Sequence, residues 1–324
     1  LAVIRSLEPK QLSLYVGIPF CPTRCAYCSF ISADVKGALA LVEPYVDALC
    51  REIEEAGAQL RAHGVTVKTA YMGGGTPTTL SAAQMDRVLT HMEQHLPLEG
   101  CVEFTVEAGR PDTITREKLE VLKAHHIPRI SINPQTMEDS VLIEMGRAHT
   151  AAQIVDAMEL ARDAYGGMVN MDLIAGLPTD TVEGFARTLK QVVAMDPANI
   201  TVHTLALKKG AKLMEEQGKL CTPQEVADML AYAEKTLRGA GYVPYYLYRQ
   251  KYMSGSFENV GWAKPGCECA YNIIMMEELQ TVLSLGAGGV TKLVDPSTGK
   301  ICRLSNPKYP KEYLDSWEKL SADK

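Results

Sequence analysis

LSLYVGIPFCPTRCAYC, residues 12–28, runs an apolar segment straight into three cysteines. The segment 12–20 has the composition of a buried strand, and Ile18-Pro19 ends it just before Cys21, because proline cannot donate to a sheet ladder. Thiolates at Cys21, Cys25 and Cys28 can hold three corners of a metal–sulfur cube and leave the fourth metal position open for chemistry. A structural zinc site wants four ligands at spacings this segment lacks. A disulfide framework is disfavoured by the odd count and by the intracellular look of the neighbouring sequence. The segment is therefore read as the ligand loop of an iron–sulfur cluster with one unprotected iron.

Outward from this loop, strand and helix signals alternate. Short apolar strands are expected at 12–19, 68–72, 102–107, 127–132, 169–174 and 199–207. Between them, 41–63, 82–95, 116–125, 151–163 and 182–194 repeat apolar residues at i, i+3, i+4 and i+7, as helices with one buried face do. Pro22, Pro77, Pro111 and Pro178 each follow a strand and mark a loop. Six β-α units predict an α/β fold, a partial (β/α)6 TIM-type barrel with right-handed crossovers and a small C-terminal extension. A doubly wound open sheet is the alternative that periodicity leaves open. Barrel chemistry gathers at the carboxyl ends of strands, which is where the cysteines fall. Thr222-Pro-Gln-Glu reads as a capped helix start, after which the pattern changes. The expected organisation is a leader or remnant at 1–11, a barrel at 12–240 and a substrate-side segment at 241–324.

At 324 residues, with 46% hydrophobic and 22% charged residues, the chain can bury a large core. A net charge of −6 argues against a nucleic-acid surface built on bulk charge. No run is long enough to span a bilayer, and no secretory signal is visible. Nine cysteines without a secretory context point to a reducing, cytoplasmic setting.

The CxxxCxxC spacing, its lead-in Tyr15-Val-Gly-Ile-Pro-Phe-Cys21 and its ending Tyr27-Cys28 resemble the radical SAM superfamily. Within it they resemble the oxygen-independent coproporphyrinogen III oxidase (dehydrogenase) family and its heme-chaperone relatives. The resemblance covers roughly residues 12–291. It implies a 4Fe-4S cluster on Cys21, Cys25 and Cys28 whose open iron is chelated by S-adenosylmethionine. One electron then cleaves the sulfonium and yields a 5′-deoxyadenosyl radical.

The same resemblance distributes the cofactor contacts. Tyr15 and Tyr27 flank the thiols. Gly74, Gly75 and Thr76 lie in Met72-Gly-Gly-Gly-Thr-Pro77, where glycines let a backbone approach a ligand; as residues alone this is equally a tight turn, and no GK[ST] follows to make a phosphate loop. Glu107 ends the third strand, on the face opposite Phe104 and Val106. Gln135, Arg147 and Asp172 match the family's amide, guanidinium and carboxylate, suited to ribose or adenine edges, a carboxylate and two ribose hydroxyls. Arg147 alone could equally be a helix-surface cation. Ala206 aligns with a backbone contact to adenine, whereas His203 nearby is as readily a core histidine as a proton donor.

Three departures stand out. Phe30 occupies the position of a fourth cysteine found in the best-established dehydrogenases, a shorter motif shared with a second branch from low-GC anaerobes. Gly109-Arg110-Pro111 replaces an acidic or Asn-Pro motif, and Tyr271 replaces the histidine of a His-Asn motif. The implied activity is oxygen-independent oxidative decarboxylation of coproporphyrinogen III to protoporphyrinogen IX, a step of porphyrin and heme biosynthesis. The alternatives are a heme-binding chaperone and a radical methyl or alkyl transferase acting on a tetrapyrrole. The implied partners are a tetrapyrrole substrate, whose carboxylates could meet Arg24, Arg249, Lys251 or Lys264, and a reduced flavodoxin or ferredoxin as electron donor. Neither nucleic acid nor membrane insertion is expected. Cys267 and Cys269 are read as free thiols in preference to a second cluster.

Overall fold

The computed structural model describes residues 5–28, 33–206, 220–249 and 257–316. Phe30 and Lys251 lie outside the described residues. Strands β1 (Gln11–Ile18), β4 (Thr66–Gly74), β5 (Glu103–Glu107), β6 (Arg129–Ser131), β7 (Met168–Ala175) and β8 (Asn199–Thr204) pair in parallel, in chain order. Helices α1 (Val35–Ala62), α2 (Ala82–His95), α3 (Arg116–Ala124), α4 (Asp139–Glu144), α5 (Ala151–Ala164) and α6 (Val182–Ala194) fall between them. A doubly wound sheet reverses its strand order at a switch point. Here the order runs β1-β4-β5-β6-β7-β8 without reversal. With right-handed crossovers every helix is then carried to the same face, as in a barrel. This is the expected partial barrel.

One core lies between helices and sheet. Leu14, Val16, Met72, Val106, Ile130, Leu173 and Val202 point outward into it and meet Leu49, Ile53, Leu89, Leu119, Ile154 and Leu189. The other sheet face is polar: Ser13, Thr69, Thr105, Arg129, Asn170, Asn199 and Thr201 are all buried. A closed (β/α)8 barrel packs that interior with branched aliphatic side chains. In this chain the alternation within each strand has already reserved it for hydrogen-bonding groups.

Two short parallel strands, β2 (Phe20–Cys21) and β3 (Ala33–Asp34), pair with each other near the cysteine loop. Past α7 (Pro223–Gly239), capped by Thr222 as expected, the chain extends the same sheet at both edges. Strand β10 (Asn259–Ala263) pairs antiparallel with β8 and with β9 (Val243–Tyr248). A seventh parallel strand, β11 (Val282–Leu285), joins β1 on its other side, followed by the antiparallel β12 (Val290–Val294) and β13 (Ile301–Ser305). The sheet therefore continues across the boundary expected at residue 240. Gly286 has φ +82 and lies so close to β1 that a Cβ would be 2.4 Å from the Gly17 oxygen. The glycine turn after β11 is thus a tight joint that only glycine fits.

The amino ends of the strands are closed by α8 (Ala270–Met276). Glu103 accepts hydrogen bonds from the Ala270 amide at 2.9 Å, the Tyr271 amide at 3.1 Å and the Cys269 thiol at 2.9 Å. Arg129, 1% exposed, lies 3.6 Å from the same carboxylate and donates to Asn170, Asn199 and the Cys267 carbonyl. Burial pushes the Cys269 thiol pKa well up, so it stays a proton donor. Cys302 sits on β13 and is exposed; no disulfide joins any cysteine. Cys267 is half-buried and Cys269 is buried.

Candidate functional site at the carboxyl ends of the strands

The cysteine loop is anchored from three directions. Gly75 donates its amide to the Ile18 oxygen at 2.8 Å, and Thr76 donates to the Phe20 oxygen at 2.7 Å. A Cβ on Gly75 would lie 2.5 Å from the Phe20 oxygen and 2.8 Å from the Ile18 oxygen. The triple glycine therefore serves first to let the β4 loop lie against the lead-in to Cys21. The amides of Gly75 and Thr76 are engaged there, and the Thr76 carbonyl accepts from the Thr79 amide at 2.8 Å. The Thr76 hydroxyl is 3.4 Å from the Cys21 sulfur.

The second anchor is Arg147. Helix α4 ends in Gly146 at φ +68, and the Arg147 amide turns back to the Leu142 oxygen at 2.9 Å. The side chain, 8% exposed, donates to the Tyr27 hydroxyl at 2.9 Å and to the Asn133 oxygen at 2.8 Å. The Ala26 amide also bonds the Met145 oxygen at 3.0 Å. Arg147 is not a surface cation. In this arrangement it holds the tyrosine between the second and third thiols, and burial raises that tyrosine's pKa.

Arg110 is the third anchor, a residue that in the sequence stands out only as a departure from the family motif. Three percent exposed, it donates to the Thr23 hydroxyl at 2.8 Å, approaches the Cys25 sulfur at 3.8 Å and pairs with Asp112 at 3.1 Å. An arginine just beyond the carboxyl end of a barrel strand was the available signal. His149 is buried near these cations with neither ring nitrogen hydrogen-bonded. Burial and the neighbouring Arg147 and Arg110 hold its pKa down at about 4.

Deeper in the barrel, Tyr271, Tyr71 and Tyr15 stack, with ring centroids 4.8 Å and 6.3 Å apart. The Tyr71 hydroxyl donates to Glu107 at 2.6 Å. Burial pushes the Glu107 pKa up to about 7, and the nearby Asp172 charge adds to the rise. Gln135 sits at φ +67, bridged to β7 through its amide on the Asp172 oxygen at 2.9 Å and its own oxygen on the Ile174 amide at 3.0 Å. The Asp172 carboxylate is 3.7 Å from His203, whose other nitrogen is 3.2 Å from the Tyr248 hydroxyl. Ala206 lies two residues past the end of β8.

The donor set fits a cluster and a polar cofactor. The side-chain oxygens of Asn133 and Gln135 are buried acceptors without a hydrogen-bond partner, as expected where a ligand's N–H or O–H groups complete the site. Among the basic candidates, Arg249 follows β9 at this end and pairs with Glu258 at 3.0 Å. Lys264 follows β10, which runs antiparallel, so it is carried to the opposite end and pairs there with Asp196 at 2.6 Å.

Residues 15–192 match a family model described as the radical SAM superfamily. The chain is 43% identical, over 97% of its length, to the oxygen-independent coproporphyrinogen-III oxidase-like protein HemZ of Bacillus subtilis, and it spans 63% of that protein. It is 30% identical to the heme chaperone HemW of Haemophilus influenzae, covering 94% of this chain and 76% of that one. Among solved structures it is similar to the coproporphyrinogen III oxidase HemN of Escherichia coli, with TM-score 0.78 and 26% identity over 99% of this chain and 72% of that one. Among the described residues, no helix is long and apolar enough to cross a membrane.

Proposed function

The chain belongs to the radical SAM superfamily, in the family that holds coproporphyrinogen III oxidase-like proteins and heme chaperones, and on that premise we propose that it oxidatively decarboxylates coproporphyrinogen III without dioxygen. The cofactors of the family are a 4Fe-4S cluster and S-adenosylmethionine. When bound they would supply a 5′-deoxyadenosyl radical able to take a β-hydrogen from a propionate; loss of CO2 and transfer of one electron to an external one-electron acceptor then leaves a vinyl group, twice per substrate.

The chain's own residues prepare for that chemistry. Cys21, Cys25 and Cys28 would hold the cluster, with the Arg110 guanidinium beside one sulfur and the Thr76 hydroxyl beside another. Glu107, Gln135 and Asp172 line the polar inner face as contacts for the cofactor's ammonium, ribose and adenine groups. Arg147 keeps Tyr27 and the loop between the thiols in place. Arg249, at the same end, is the described cation best placed for a substrate carboxylate, and its bond to Glu258 would be exchanged on binding. A reduced flavodoxin or ferredoxin is the expected electron source.

The reading rests above all on one observation: a three-thiol loop locked by Gly75 and Arg147 onto the carboxyl end of a parallel barrel. A second reading, heme delivery, draws support from the similarity to heme chaperones. Against it stands Tyr271, where the His-Asn motif of those chaperones has histidine; its ring is buried against Tyr71. The deciding assay is anaerobic: reconstituted protein, dithionite, S-adenosylmethionine and coproporphyrinogen III, following 5′-deoxyadenosine and porphyrin products together. Protoporphyrinogen with matching 5′-deoxyadenosine is expected, and Cys21→Ala should abolish both. Stable heme binding without a vinyl product would replace decarboxylation by delivery.

A further inference from the structure

On the outer helical layer, away from the thiol loop, Glu54 of α1 and His91 and His95 of α2 bring three ligand atoms within 4.8 Å of one another. Glu54 Oε1 lies 3.5 Å from His91 Nε2 and 3.7 Å from His95 Nε2. In a tetrahedral zinc centre, bonds of about 2.0–2.2 Å place neighbouring ligand atoms about 3.3–3.6 Å apart. Two edges of such a tetrahedron are thus already near their final length, and rotation of the exposed His95 ring can close the third.

Two further features show that the arrangement is held. His91 Nδ1 is 2.9 Å from the Arg87 oxygen. A carbonyl only accepts, so Nδ1 carries a proton, and in the neutral ring Nε2 turns its lone pair toward Glu54. Metal-binding histidines are commonly oriented in this way. The helices also touch closely here: a Cβ on Gly57 would lie 2.0 Å from the His95 oxygen, and Arg61 donates to the same carbonyl. The backbone spacing between Glu54 and the histidine pair is therefore set by contact between the two helices. Side-chain exposures of 46%, 27% and 37% leave room for an ion to enter and for water to complete the shell. His125 is a useful contrast, because its two nitrogens face two different carboxylates, Asp86 at 3.0 Å and Glu93 at 2.9 Å, and no lone pairs converge.

We infer that Glu54, His91 and His95 form a site for a divalent transition metal of the zinc class, clipping α1 to α2. The inference does not depend on the proposed activity. The test uses cluster-reconstituted holoprotein, in which Cys21, Cys25 and Cys28 are occupied, with Cys302→Ser as a background that removes the exposed thiol. Zinc content is measured after anaerobic equilibrium dialysis, and affinity by competition with a chromophoric chelator. About one zinc per chain beyond the iron is expected, since three protein ligands and a water make one site. His91→Ala, His95→Ala and Glu54→Gln should each weaken binding by more than the roughly 10–100-fold that loss of an outer-shell partner costs. Zinc should raise the thermal midpoint of the parent and not of these variants. Equal zinc content in the parent and in His91→Ala would overturn the site, leaving adventitious binding elsewhere. No bound zinc in the parent would also overturn it, leaving an ion pair between Glu54 and the histidines.

Discussion

Gly75→Ala puts a methyl group where two backbone segments already meet. The added carbon would lie 2.5 Å from the Phe20 oxygen, 2.8 Å from the Ile18 oxygen and 2.9 Å from the Phe20 carbonyl carbon. Ordinary contact begins at 3.4 Å, so the β4 loop and the lead-in to Cys21 must separate by about 0.9 Å. No flexible side chain can yield in their place, because all three neighbours are backbone atoms. The two amide bonds that lock the loops, 2.8 Å and 2.7 Å long, lengthen together, and Cys21 moves with them. Overpacking of this kind typically costs about 1–3 kcal/mol of stability. Misplacing a reacting group by about 1 Å can cost about 100-fold in rate. The expected result is a protein that folds with a thermal midpoint a few degrees lower and forms 5′-deoxyadenosine about 100-fold more slowly. Iron content and the KM for S-adenosylmethionine, measured on the same preparation, separate a displaced cluster from lost cofactor contact. Gly100→Ala, with nothing within 4 Å of the added carbon, is the control and should match the parent. A Gly75→Ala protein with the parent's iron content and turnover would refute the claim that close backbone approach positions the cluster loop.

Further outcomes follow from the same geometry. Arg129→Met leaves Glu103 buried without its cation and should cost about 3–5 kcal/mol, read as a lower denaturation midpoint; a loss under about 1 kcal/mol would show that the α8 amides alone satisfy the carboxylate. Arg110→Ala removes a positive charge beside the Cys25 sulfur, so the cluster's reduction potential should fall; an unchanged potential in a redox titration counts against that contact. In cofactor-free protein, Glu107 has a folded pKa raised from 4.5 to about 7, so its contribution is most favourable below pH 4.5 and is lost as the pH rises through 7. Glu107→Gln should therefore gain stability relative to the parent between pH 5 and pH 8, a trend that thermal melts at the two pH values would confirm or deny.

The local pattern of the chain carried much of this. Periods of two and of 3.6 residues placed α2 and α6 at their observed bounds and α3 and α5 to within one residue, because a helix face and a strand face are written in adjacent residues. The three-thiol spacing and the strand before it marked the site for the same reason, and the capped start of α7 was equally legible. What local pattern could not state was which distant segments meet. That β11 becomes a seventh parallel strand beside β1 depends on a glycine joint between residues far apart in the chain. Arg110 gains its meaning only when the fold brings it to Thr23 and Cys25, as Gln135 does through its positive φ and its bridge to β7. Lys264 reads as a substrate cation until the antiparallel direction of β10 carries it to the far end of the barrel. Residue type and spacing determine the elements and the chemistry available; burial, strand direction and contacts between remote residues, which only the assembled barrel supplies, select the groups that work together.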